Sequence, residues 1–123
     1  MATHNEFGVR AEQLAASLLE RNGWTILYRN WRWQRKEIDL IARRDDVVAF
    51  IEVRARTRTL HGHPLETIGW KKRRDLEAAA RAWIERNGRA GDTFRFDAVS
   101  LTRNEDGTVA LEHVAEAWNL NGP

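Results

Sequence analysis

The stretch that decides the fold is Lys36–Arg56, KEIDLIARRDDVVAFIEVRAR. Successive side chains on a strand point to opposite faces, so a strand over Arg35 to Arg43 puts Ile38 and Leu40 on one face and Glu37, Asp39 and Ile41 on the other. Asp45-Asp46 supplies a turn. Val47 to Val53 is apolar until Glu52, the composition of a central strand covered on both sides. Paired as a hairpin around that turn, the two strands bring Asp39 and Glu52 close together on one surface.

That closeness has an electrostatic cost. Two like charges about 4 Å apart repel by ~1 kcal/mol in water and by ~4 kcal/mol at an effective dielectric of about 20. A divalent cation resolves the conflict, and hard oxygen ligands select magnesium or manganese over zinc. The bland alternative is that each carboxylate is solvated or paired with one of the many arginines nearby.

Working outward, Phe7 to Arg21 carries Phe7, Ala11, Leu14, Ala15, Leu18 and Leu19 at helical spacing, and Asn22-Gly23 closes that helix. Trp24 to Trp31 is rich in strand formers. Thr57 to Pro64 loses periodicity and reads as a loop. A long helix is expected over Leu65 to Glu85, burying Ile68, Leu76, Ala79, Ala80, Trp83 and Ile84. After a glycine-containing connection, Thr93 to Leu101 and Thr108 to Val114 form two more strands around a turn at Asn104 to Gly107. The order α-β-β-β-α-β-β predicts an α/β fold, a mixed five-stranded sheet flanked by helices, as one domain over residues 1–123.

Composition narrows the function. With no cysteine there is no disulfide, thiolate nucleophile or cysteine-based zinc site. No apolar run is long enough to cross a bilayer, and Met1 to Arg10 lacks the apolar core of a signal peptide, so a cytoplasmic protein with no membrane association is expected. The net charge is only +2, but Arg29 to Arg58 holds nine Lys/Arg against five Asp/Glu, and Asp92 to Pro123 two against six. Lys71-Lys72-Arg73-Arg74 adds a second basic run, the pattern that attracts phosphate backbones. Trp31, Trp33 and Trp70 sit near basic residues and are the tryptophans best placed to stack on bases, although strand and helix aromatics usually pack. His61 and His63 have zinc-compatible spacing but no third ligand nearby, and read as surface residues.

Lys36-Glu37-Ile38-Asp39-Leu40-Ile41-Ala42 followed by Phe50-Ile51-Glu52-Val53-Arg54-Ala55-Arg56 resembles the signature of the YraN family, written G-E-I-D-L-I and F-V-E-V-K-x-R. Gly8, Ala11 and Glu12 resemble that family's G-x-x-A-E helix start, and Arg29-Asn30-Trp31-Arg32 its R-N-W-R strand end; Gly62 and Lys71 fall where it carries G and K. The similarity covers roughly the first eighty residues. It implies a restriction-endonuclease-like core of the PD-(D/E)xK type, related to the Holliday junction resolvases, hydrolysing phosphodiester bonds in DNA, with branched or single-stranded forms as candidate substrates. On that resemblance Asp39, Glu52 and the main-chain carbonyl of Val53 bind Mg or Mn, Arg54 contacts the attacked phosphate or water, and Glu12 completes the site. Lys36, Arg56, Lys71, Lys72, Arg73 and Arg74 would then hold the nucleic acid. A homodimer follows by analogy with the resolvases.

Two positions depart from the pattern. Lys36 stands where the family has glycine, and Arg54 where it has lysine. An arginine keeps its proton near neutral pH and cannot act as a general base, although its planar fork can clamp a phosphate. Weakened cleavage is expected, with a nucleic-acid-binding module on the same fold as the alternative function and a purely structural protein as a third.

Overall fold

The computed structural model describes residues 4–57 and 69–118, with side chains from Gly8 onward. The elements run α1 (His4–Arg21), β1 (Thr25–Trp33), β2 (Lys36–Arg44), β3 (Val47–Thr57), α2 (Trp70–Asn87), β4 (Thr93–Arg103) and β5 (Val109–Trp118). This is the expected α-β-β-β-α-β-β order. The expected loop from Thr57 to Pro64, the first turn of the expected second helix including Ile68, and the pair His61 and His63 lie outside the described residues, apart from Thr57 itself.

The five strands form one sheet in the order β1-β2-β3-β4-β5. All neighbours are antiparallel except β3 and β4, which run parallel. Parallel neighbours need a crossover, and α2 lies in the connection between them. β3 is therefore central, as its apolar run requires. It is also longer than expected, because Arg54 to Thr57 continue to pair with Ser100 to Arg103 of β4. Polar residues hide that extension in the sequence.

Among the described residues, each face of the sheet carries one helix. Ala11, Ala15, Ala16 and Leu19 of α1 pack with Trp24, Leu40, Ala42, Ala49, Ile51, Val99 and Leu101. Leu76, Ala79, Ala80, Ala82 and Trp83 of α2 pack with Trp31, Ile38, Ile41, Val48, Phe50, Phe96 and Trp118. Small residues on both helices let the backbone approach the sheet closely, and every methylene removed from water there contributes about 0.8 kcal/mol. Trp31, one of the tryptophans considered for stacking, is core; Trp70 is 69% exposed.

The membership of these two clusters corrects one expectation. Ile38 sides with Ile41 on the α2 face, and Leu40 with Ala42 on the α1 face. Strict alternation put Ile38 with Leu40, so β2 slips by one residue at Asp39. β1 slips with it. Asn30 has φ 52, left-handed backbone inside a strand, and the paired residues step from Arg29↔Leu40 to Trp31↔Ile38 across Asn30 and Asp39. The register survives while the faces exchange, because both strands turn over at the same rung.

Asp97, fully buried on β4, anchors the far end of the sheet. Arg95 Nε lies 3.0 Å from its Oδ1, His113 Nε2 lies 2.8 Å from its Oδ2, and the Glu116 backbone N–H donates to Oδ1 at 3.0 Å. These partners hold the carboxyl below its ordinary value despite its burial.

Candidate metal centre

The pairing of β2 with β3 ends at Leu40↔Ile51. Beyond that rung the N-terminal end of β2 stays with β1 and the C-terminal end of β3 stays with β4. The sheet forks there, and Asp39 and Glu52 are the first residues on either side of the fork. Asp39 Oδ2 accepts the backbone N–H of Val53 at 2.8 Å, taking a donor that a continued ladder would have used.

Around Asp39 the structure gathers Glu12 and Glu37, with one ligand oxygen from each of the three within 4.8 Å of the others. α1 delivers Glu12 from one side. Asn30, at the slipped rung, lies between Glu12 and Glu37; with its carboxamide nitrogen turned toward them it donates to Glu12 Oε1 at 2.7 Å and to Glu37 Oε1 at 3.2 Å. That orientation is assigned from the surroundings, since the amide oxygen would meet only acceptors. Glu37 also pairs with Arg32 Nε at 2.9 Å, as a strand carboxylate beside basic residues is expected to do.

Glu52 is only 7% exposed. Lys72 Nζ, from the first turn of α2, lies 3.6 Å from its Oε1. Its Oε2 is buried with no hydrogen-bond partner among the described residues. An orphaned buried carboxylate oxygen is expensive, and most such atoms in native proteins have a partner.

The electrostatics follow from burial and crowding. Desolvation, then the charge of Asp39, push the Glu52 carboxyl up to about 7, with Lys72 and Arg54 opposing the rise. Asp39 is raised chiefly by burial, against the Val53 hydrogen bond and the charge of Lys72. Glu12 is raised by burial and then by the charges of Asp39 and Glu37. Three carboxyls raised together mark a place where negative charge is poorly accommodated by the protein alone. The gathered oxygens of Glu12, Glu37 and Asp39, without sulfur or imidazole, fit a hard divalent cation, and Glu52 stands outside that group, against Lys72.

The other expected residues distribute unevenly. Alternation along β3 puts Arg54 and Arg56 on the α2 face with Glu52 and Lys72. Lys36 lies with its Nζ 5.4 Å from the Trp33 ring centroid. Lys71 and Arg74 are exposed, with the Arg74 guanidinium 5.5 Å from the exposed Trp70 ring. Arg73 is half-buried, and its Nε has no hydrogen-bond partner among the described residues. α2 has no acidic residue in its first turn and no side-chain cap on Gly69. Cations at a helix N-terminus oppose the macrodipole, so folding alone does not favour this run there.

Two features escaped the sequence. Asn30 figured only within a motif, and its role depends on a left-handed conformation that asparagine tolerates better than most residues. Glu37, paired with Arg32, is also part of the carboxylate cluster, which its place on the strand does not announce.

The family model described as "Uncharacterised protein family UPF0102" matches residues 11–101 of this chain. Among similar proteins are a UPF0102 protein of Anaeromyxobacter sp. (strain Fw109-5), 47% identical over 85% of this chain and 79% of its own, and a UPF0102 protein of Chloroherpeton thalassium, 37% identical over 94% and 90%. A UPF0102 protein of Geobacter sulfurreducens is 36% identical over 95% of this chain and 92% of its own.

Proposed function

The chain belongs to the uncharacterised protein family UPF0102, the YraN family, and on that footing we propose that it is a metal-dependent DNA endonuclease of the PD-(D/E)xK type acting in the cytoplasm. The observation that carries the reading is the fork: Asp39 fixed by Val53, with Glu12 and Glu37 beside it and the orphaned Oε2 of buried Glu52 across the gap. A buried polar group left unpaired at a fold's irregularity is the mark of a site that a ligand completes.

Asp39 and Glu52, with the Val53 carbonyl, would hold Mg or Mn, and Glu12 would add a further oxygen; Glu37 stands close enough to join. Such an ion, when bound, lowers the pKa of water and neutralises charge building on a phosphate. The reaction is hydrolysis: a water oxygen bonds to phosphorus as one phosphorus–oxygen ester bond breaks, leaving a phosphate monoester and a free sugar hydroxyl. Arg54, held on the protein's α2 face, would clamp the phosphate with its planar fork. Lys36, Arg56, Lys71 and Arg74 would draw the backbone toward the site.

The test is an assay of labelled duplex, four-way junction and single-stranded DNA with and without magnesium or manganese. Metal-dependent cleavage of any of the three, lost in Asp39→Asn, supports the nuclease; tight salt-dependent binding with no cleavage would leave the binding module instead.

A further inference from the structure

Position 54 is the place from which the PD-(D/E)xK pattern delivers a lysine, and here it carries arginine. α2 brings a lysine to the same carboxylate. Lys72 Nζ is 3.6 Å from Glu52 Oε1, while the Lys72 side chain is 51% exposed and that of Glu52 is 9% exposed. The ammonium therefore caps Glu52 on its solvent side, where an incoming phosphate would arrive.

We propose that Lys72 is the lysine of this site, presenting its ammonium to the attacked phosphate from the first turn of α2 while Arg54 acts as a clamp. The inference rests on the nuclease reading above. Three features of the structure carry it.

The spacing is longer than the 2.7–2.9 Å of a charge-assisted hydrogen bond. The contact leaves the ammonium's three donors able to turn toward other oxygens. The lysine end of the pair is half exposed, so solvent screens the contact on the side from which the ammonium can turn to another anion. Lys72 also sits where the helix dipole disfavours a cation, and where its own charge and the dipole both favour an anion instead. Finally, α2 is held against the sheet by Leu76, Ala79, Ala80 and Trp83, so the half-exposed Lys72 ammonium is delivered to the buried Glu52 Oε1 by a packed element.

The role requires no proton transfer. As the water oxygen closes on phosphorus, negative charge grows on the non-bridging oxygens, and an ammonium already in place stabilises it without reorganisation. A compact point charge can serve there alongside a planar guanidinium. Lys72 thus belongs to the chemistry and not only to the backbone-binding run in which the sequence places it.

The experiment compares native protein, Lys72→Met, Lys72→Arg and the double variant Lys72→Met/Arg54→Lys for cleavage rate and, separately, for manganese affinity by calorimetry. Removing one charge-stabilising donor typically costs about 10²–10³ in rate. The expected result is a fall of that size in Lys72→Met, a smaller fall in Lys72→Arg, manganese affinity unchanged or tighter, and at least about tenfold recovery in the double variant. Cleavage by Lys72→Met within about threefold of native, or manganese affinity falling in step with rate, overturns the proposal and leaves the nuclease standing. Absence of cleavage by the native protein in both metals overturns the nuclease reading and this proposal with it.

Discussion

Asp39 Oδ2 sits 2.8 Å from the backbone nitrogen of Val53, and this one hydrogen bond converts the end of a strand pair into a site. It satisfies the N–H that the fork would orphan, and it locks the carboxylate between two strands. Glu52 gains no such partner for its Oε2. Both carboxyls are held above their ordinary values, chiefly by burial.

The raised Glu52 carboxyl predicts a pH dependence. The unfolded carboxyl of Glu52 titrates near 4.5 and the folded one near 7. Below 4.5 both states hold the proton; between 4.5 and 7 the unfolded chain releases it while the folded chain keeps it. Stability therefore falls as pH rises through this window and levels above it. Glu52→Gln removes the titration and should stabilise the metal-free protein above pH 7 by up to roughly 3 kcal/mol, with the advantage vanishing below pH 4.5. Urea melts of both proteins across this range check it; a pH-independent difference would contradict the assignment.

Asp97 gives the opposite case. Its burial is offset by Arg95, His113 and the Glu116 N–H. Asp97→Ala strands those partners in a closed environment and should cost about 3–5 kcal/mol. A melting temperature within a few degrees of native would show that the network carries little.

The basic first turn of α2 predicts a salt effect. Lys71 and Arg74 are exposed, and each phosphate left without its cation should flatten the slope of log affinity against log salt by roughly 0.7 to 0.9. Replacing both with alanine should thus change the slope by about 1.4 to 1.8, measured by fluorescence anisotropy on labelled DNA. An unchanged slope would make them a solvated face.

Much of this was legible in the sequence, and the reasons are physical. The apolar run before Glu52 announces a central strand because only a strand covered on both faces can be apolar on both. The spacing of Asp39 and Glu52 about Asp45-Asp46 announces a hairpin that brings two carboxylates together. What failed to show was whatever depends on broken regularity or on distant packing. The slip at Asn30 and Asp39 exchanges faces without changing composition, so period-two reading assigned Ile38 to the wrong face. The end of β3 is polar, and its strand character comes from pairing with β4. Lys72 meets Glu52 only because Leu76, Ala79, Ala80 and Trp83 hold α2 against the sheet, and nothing in the local run of cations distinguishes it from Lys71.

Binding of a divalent cation at the fork through Asp39 is open to calorimetric titration of manganese into the native protein and Asp39→Asn. The substitution keeps the side chain's shape and an oxygen for the Val53 N–H, and removes the charge. Native protein should bind manganese saturably, and a folded Asp39→Asn should bind none. Equal binding by the two proteins would contradict a site at the fork.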